Sequence, residues 1–201
     1  MMKHILLTGF DPFGGETVNP AWEAVSRLND RIGDYRIDRL MVPTVFGKAG
    51  ETVLRACEKA SFDVVICVGQ AGGRSGVTPE MVAINLRHAG ICDNAGAAPQ
   101  DEPVVNGGPA AYFSTLPVRR MVRRMAEEGI ASSVSYSAGT FVCNDLMYTV
   151  LNHFAETNVR AGFIHVPFLP EQAKNGAPSM PLSEITRALT LSILSLQDAQ
   201  A

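Results

Sequence analysis

The stretch Phe62-Asp63-Val64-Val65-Ile66-Cys67-Val68-Gly69 decides the fold class. Its unbroken apolar run from Val64 to Val68, closed by a glycine, is the pattern of a strand covered on both faces, as in a parallel sheet packed between helices. Working outward, Lys3-His4-Ile5-Leu6-Leu7-Thr8-Gly9 has the same pattern near the start. Arg160-Ala161-Gly162-Phe163-Ile164-His165-Val166 has it near the end and is stopped by Pro167. Residues 36–42 read as a further strand, stopped by Pro43. Helical spacing fills the intervals. Asn19 is placed as an N-cap and Pro20 as the first helical residue of a helix over Ala21 to Leu28. Residues 47–60, 117–128, 141–156 and 183–196 follow with apolar positions at helical period, the second of these with a basic face. The alternation predicts an α/β three-layer sandwich, a mostly parallel twisted sheet with helices on both faces, in one domain over residues 1–201.

Three segments are less regular. Residues 81–86 are strand-like, and residues 132–137 are short and serine-rich. Residues 91–109, rich in Gly, Pro, Asp and Asn, read as a long surface excursion with a hairpin as one option.

Composition narrows the function. Of 201 residues, 46% are hydrophobic and 18% charged, which excludes a disordered chain, and no apolar run reaches membrane-spanning length. With 17 Lys+Arg against 20 Asp+Glu, the formal charge of −3 gives no footprint for nucleic acid or an acidic membrane. Cys57, Cys67, Cys92 and Cys143 form no C-x-x-C pair and have no clustered histidines, so neither a disulfide framework nor a metal site is expected. The apolar stretch at the start is too short for an export signal, which makes the cytoplasm the expected compartment and free thiols the expected state.

Four loops begin at carboxyl ends of strand-like runs, where ligands bind in such folds. They start at Phe10, Gln70, Ser137 and Pro167. The first, Gly9-Phe10-Asp11-Pro12-Phe13-Gly14-Gly15, is too apolar for an ordinary turn and suits the wall of a small hydrophobic pocket, although aromatics pinning a loop to the core would look the same. The second, Val68-Gly69-Gln70-Ala71-Gly72-Gly73-Arg74, matches neither a dinucleotide nor a P-loop pattern and suits a backbone cradle for a polar ligand edge. The third, Ser137-Ala138-Gly139-Thr140-Phe141-Val142-Cys143-Asn144-Asp145, puts Cys143 at a helix start. Unpaired N–H groups and the helix dipole there favour thiolate and suit an oxyanion. Free cysteines are usually buried small hydrophobes, which describes Cys57 and Cys67 better than Cys143. A thiol nucleophile needs a base. Among the histidines only His165 ends a buried strand, whereas His4, His88 and His153 lie elsewhere. Glu80, between the glycine-rich loop and the next strand, is a candidate for orienting that base, although an isolated surface glutamate would look the same.

Taken in order, Gly9–Gly15, Asn19-Pro20, Val68–Arg74, Pro79-Glu80, Asp93-Asn94, Ser137–Asn144 and His165-Val166-Pro167-Phe168-Leu169-Pro170 closely resemble the pyroglutamyl peptidase I family. Each motif alone is modestly specific; their collinear combination is highly so. The resemblance implies a cysteine exopeptidase that needs no cofactor, acts on peptides with an N-terminal pyroglutamate, and assembles as a homo-oligomer, commonly a tetramer. It implies Cys143 as nucleophile, His165 as general base and then acid, and Glu80 as the orienting residue. It further implies that Phe10, Phe13, Phe141 and Val142 wall the ring, that the Gln70 backbone reads the lactam, and that Asn19 supports the loop or the ring carbonyl. One departure stands out. Where the family usually has Asp-Ala-Arg-Ile-Pro-Asp-Asn, this chain has His88-Ala89-Gly90-Ile91-Cys92-Asp93-Asn94. Gly90 thus replaces an arginine expected near the oxyanion, and Arg87 is the candidate to reach the same place. Two alternatives compete: a nucleoside phosphorylase-like enzyme, with Arg74 on an anion, and a relative that keeps the pocket without the chemistry.

Overall fold

The computed structural model describes residues 2–197. In chain order the elements are β1 (Lys3–Phe10), α1 (Pro20–Ser26), β2 (Arg31–Ile32), β3 (Tyr35–Val42), α2 (Lys48–Lys59) and β4 (Val64–Gln70), followed by β5 (Thr78–Pro79), β6 (Val82–Ile84) and β7 (Ala111–Phe113). The chain then runs through α3 (Val118–Glu127), α4 (Val142–His153), β8 (Arg160–Val166) and α5 (Leu182–Leu194). The main sheet has the order β2-β3-β1-β4-β8-β5. Its four inner strands are parallel, and the two-residue edge strands β2 and β5 pair antiparallel.

Strand alternation divides the core into two layers. Ile5 and Leu7 of β1, Val64, Ile66 and Val68 of β4, and Ile164 and Val166 of β8 face α1, α3 and α5. Leu6, Val65, Cys67 and Phe163 face α2 and α4. Buried on both faces, these strands can be apolar over most of their length, which is why the run at residues 64–68 is unbroken. Each such branched side chain contributes about 1.5–3 kcal/mol over leaving it exposed. The helices present matching stripes, such as Val118, Met121 and Met125 on α3, and Ile185, Ala188, Leu189 and Ser192 on α5. Asn19 caps α1, its side chain accepting from Ala21 N at 3.1 Å, with Pro20 in the first turn. That helix start lies so close to β1 that a Cβ at Gly9 would stand 2.8 Å from Trp22 Cα.

The irregular segments take particular places. The strand-like residues 81–86 shorten to β6, which pairs with β7 in a separate two-stranded hairpin. The excursion is the long connection within that hairpin. Residues 132–137 form no strand of their own but touch β5 and its flanks through parallel bridges, Val77 with Ser132 and Glu80 with Ser135.

The sheet opens at the carboxyl end of its centre. Pairing of β1 with β3 runs to Phe10 and Val42, and pairing of β4 with β8 runs to Gln70 and Val166. Pairing between β1 and β4 stops earlier, at Gly9 and Val68. The chain also reverses its direction of winding here, since β3 lies on one side of β1 and β4 on the other. This is the switch point where open α/β sheets form a ligand crevice.

Candidate active site

A cavity of about 410 Å³ occupies that crevice. Phe10, Phe13 and Phe141 supply apolar walls, with Phe13 and Phe141 ring centroids 6.2 Å apart. Asn19, Thr44 and Gln70 supply polar edges, and Arg74, Cys143 and His165 complete the lining. Three of the four loops therefore line one crevice, and the fourth is represented by His165 in the strand that precedes it.

His165 reaches the cavity because odd-numbered residues of β8 face the α4 layer, as Phe163 does. The residue is buried, and its ring centroid lies 4.7 Å from that of Phe163. Its Nδ1 is 2.6 Å from Glu80 Oε1. Burial lowers the His165 pKa below its ordinary value, and Arg74 adds to this, against the opposing pull of Glu80. Burial penalises the Glu80 carboxylate too, but His165, Ser135 and Arg74 together hold its pKa below the usual range. The dyad thus rests as carboxylate and neutral imidazole. The proton sits on Nδ1, facing the carboxylate, and Nε2 is left as the basic nitrogen.

Cys143 lies in the first turn of α4. Phe141, the N-cap, makes no side-chain capping bond, so the first-turn N–H groups lack a side-chain acceptor. The helix start is fixed by the two residues after the cysteine. Asn144 is fully buried, accepts from Ile84 N at 2.9 Å and donates to Ile84 O and Leu86 O at 2.9 and 3.0 Å. Asp145, equally buried, accepts from Gly47 N at 2.7 Å and from Arg87 Nε at 2.5 Å. Burial pushes the Cys143 thiol up to about 12, with the Glu80 charge adding to it and Arg74 opposing it. Desolvation thus disfavours the charged thiolate and imidazolium alike, in opposition to the helix dipole at Cys143.

The pocket residues separate by what they touch. Asn19 is engaged in the loop, donating through Nδ2 to Asp11 O at 2.9 Å while its oxygen caps α1. Gln70 accepts from Gln172 Nε2 at 3.2 Å through its side chain, and its backbone stands where β1 and β4 part. Val142 does not line the cavity. Its side chain is fully buried in the α2/α4 layer, because the first helical turn points that residue inward. Arg87 is not in the cavity either. It lines a different one with Phe46 and Glu102 and is paired with Asp145. Gly90 is exposed, with open space around the position a Cβ would take. Asp93 and Asn94 serve the walls: Asp93 accepts from Phe46 N at 2.9 Å, and Asn94 Nδ2 donates to Pro12 O at 2.9 Å.

Sequence reasoning did not single out Thr44, and it read Arg74 only as a possible anion contact. Arg74 Nη1 donates to Glu80 Oε1 at 2.7 Å and to the Thr78 hydroxyl, and its Nη2 donates to Ser137 O at 3.2 Å. A guanidinium so committed is not a free phosphate ligand, which removes the anion contact on which a phosphorylase reading depended. A lone cation six residues before an acid was the available signal. Among the described residues, no group of three or more His, Cys, Asp and Glu is arranged to hold a metal, and no helix is long and apolar enough to cross a membrane.

An α/β sandwich whose sheet parts at its centre, with a helix-start thiol and a carboxylate-held imidazole lining the gap, has the build of a cysteine peptidase. Comparison with known proteins agrees and is more specific. The family model described as pyroglutamyl peptidase matches residues 3–198, and the chain belongs to that family. Pyrrolidone-carboxylate peptidases of Bacillus thuringiensis (strain Al Hakam) and Bacillus anthracis are each 51% identical over 197 residues, covering 96% of this chain and 92% of theirs. Pyroglutamyl peptidase I from Bacillus amyloliquefaciens superposes with a TM-score of 0.94 at 51% identity, over 97% of this chain and 95% of that one. A mutant pyrrolidone carboxyl peptidase from the hyperthermophile Pyrococcus furiosus superposes with a TM-score of 0.93 at 39% identity, over 98% and 100%. Neither the phosphorylase nor the non-catalytic reading finds support among these relatives.

Proposed function

We propose that the protein removes an N-terminal pyroglutamyl residue from peptides through a thioester on Cys143. The observation that carries this reading is that Cys143 and His165 line one apolar cavity, with the imidazole held by Glu80. Pyroglutamate is a small uncharged lactam, so its pocket needs flat apolar walls and a few hydrogen bonds rather than a counter-charge. The walls are Phe10, Phe13 and Phe141, and the Gln70 backbone is the candidate to read the lactam N–H and C=O. An analogue lacking the cyclic amide would leave such groups unpaired, at about 1–3 kcal/mol each.

Both reacting groups start neutral. As the sulfur attacks the pyroglutamyl carbonyl, Nε2 of His165 takes its proton, and Glu80 stabilises the imidazolium that forms. First-turn N–H groups of α4 receive the oxyanion. The C–N bond breaks as the imidazolium gives its proton to the leaving amine. Water, deprotonated by the same nitrogen, then splits the thioester and restores the thiol. The chemistry calls for no cofactor but does need a reduced thiol, which suits the cytoplasm. The same resemblance carries the expectation of a homo-tetramer, tested by the mass of the protein in solution.

The test is release of the fluorophore from pyroglutamyl-7-amido-4-methylcoumarin. Wild type cleaves it, Cys143→Ser and His165→Ala do not, thiol alkylation inactivates, and EDTA leaves the rate unchanged. Full activity in Cys143→Ser would overturn the proposal.

A further inference from the structure

The guanidinium of Arg74 joins two parts of the site that come from different loops. Through Nη1 it donates to Glu80 Oε1, the same oxygen that receives His165 Nδ1. Through Nη2 it donates to the carbonyl of Ser137, the residue that opens the loop leading to Cys143. The Arg74 side chain is 29% exposed and lines the cavity, whereas the Glu80 carboxylate it meets is completely buried. We infer that Arg74 is a positioning residue of this enzyme: it fixes Glu80 against His165 and ties the start of the nucleophile loop to that dyad.

The inference rests on the function proposed above and deepens it. A single carboxylate oxygen shared by an imidazole and a guanidinium is fixed in direction by both, so the imidazole plane inherits the geometry of the fork. The other hand of the fork is on a backbone carbonyl, where a charged donor holds more firmly than a neutral one. One planar group therefore spans the base and the approach to the nucleophile. Charge follows geometry. The titratable groups around His165 are Glu80, Arg74 and Cys143. Glu80 favours the imidazolium and Arg74 opposes it, so the cation keeps the base free to accept the thiol proton. Arg74 also opposes the effect of Glu80 on Cys143, easing departure of that proton.

Arg74→Met and Arg74→Lys separate the two contributions. Methionine keeps the stem and removes both charge and fork; lysine restores the charge without the fork. With Arg74→Met, the acid limb of kcat/KM moves to higher pH, and kcat falls by roughly tenfold or more while KM changes less. Arg74→Lys keeps the limb near its wild-type position yet loses kcat, because one ammonium cannot hold Glu80 and the Ser137 carbonyl as a plane does. The imidazole titration of His165, followed by NMR, gives the same answer without turnover: its midpoint rises in Arg74→Met. An unmoved midpoint and unchanged kcat in Arg74→Met overturn the inference. If the methionine variant does not fold, full activity in Arg74→Lys overturns it instead. A wild-type protein that cleaves no pyroglutamyl substrate, with the NMR midpoint still shifting, sinks the proposed reaction and leaves the positioning geometry standing.

Discussion

Glu80 Oε1 lies 2.6 Å from His165 Nδ1, and the two side chains are 0% and 4% exposed. A carboxylate and an imidazole enclosed together fix which ring nitrogen carries the proton, and hence which one is left to act as a base. Glu80→Gln keeps the shape and removes the charge. Because Glu80 raises the His165 pKa, its loss moves the acid limb of kcat/KM to lower pH, the opposite direction from Arg74→Met. The imidazolium formed during attack also loses its partner, so kcat falls by roughly 10²- to 10⁴-fold. A pH–rate profile of the residual activity checks both, and a limb that moves upward would contradict the assignment.

The same groups set how stability responds to acid. His165 has a folded pKa below its unfolded value near 6.5, so between the two the unfolded chain binds the extra proton. Its contribution is complete above 6.5 and is lost as pH falls from there toward the folded value. Glu80, also lowered, contributes above its unfolded value of 4.5 and loses that contribution as pH falls through its folded pKa. Acidification is therefore expected to destabilise the protein in two stages, beginning below pH 6.5. Urea midpoints measured from pH 7.5 to 4 test this. In His165→Ala the first stage is expected to shrink.

Much of this was legible in the chain, for reasons that particular residues make plain. Residues 62–68 and 160–166 announce buried parallel strands because both faces are covered, and Asn19-Pro20 announces a helix start because capping is local chemistry. Cys143 and His165 stand out because each follows from its place at the end of an element. Pairings between distant segments were not legible. Arg74 reads as a possible anion contact until Glu80 and the Ser137 carbonyl come within its reach. Val142 looks like a pocket wall until the first turn of α4 carries it into the core. Residues 132–137 have strand composition, but the two-residue β5 is too short to recruit them into a regular ladder.

Gly69, the last residue but one of β4, is on the face toward α4, where a Cβ would stand 3.0 Å from Cys143 Sγ and 2.7 Å from Phe163 Cζ. The position needs glycine so that the sulfur can sit against the strand end. Gly69→Ala pushes the thiol and the Phe163 ring, which itself contacts His165. The expected result is a stability loss of about 1–3 kcal/mol from overpacking. Displacement of the nucleophile adds a fall in kcat of about 10²-fold. Urea unfolding and burst kinetics read the two effects separately. Unchanged kcat would mean that the sulfur has room that the close contact denies.

Arg87 is expected to matter to stability rather than to the reaction. Its Nε reaches Asp145 Oδ1 at 2.5 Å, and Asp145 is fully buried in the first turn of α4. Arg87→Met leaves that carboxylate with the Gly47 N–H as its remaining partner. Removing one partner of a buried pair costs roughly 3–5 kcal/mol. The 23% exposure of the Arg87 side chain admits water and places this case toward the lower end. Adding Asp145→Asn removes the stranded charge and should recover part of the loss, a coupling that a double-mutant cycle measures. In folded Arg87→Met the acid limb of kcat/KM should stay where it is in wild type, since Arg87 lies outside the cavity that holds His165. The opposite pattern, a large fall in kcat with an unchanged urea midpoint, would return Arg87 to the oxyanion role that its position in the sequence suggested.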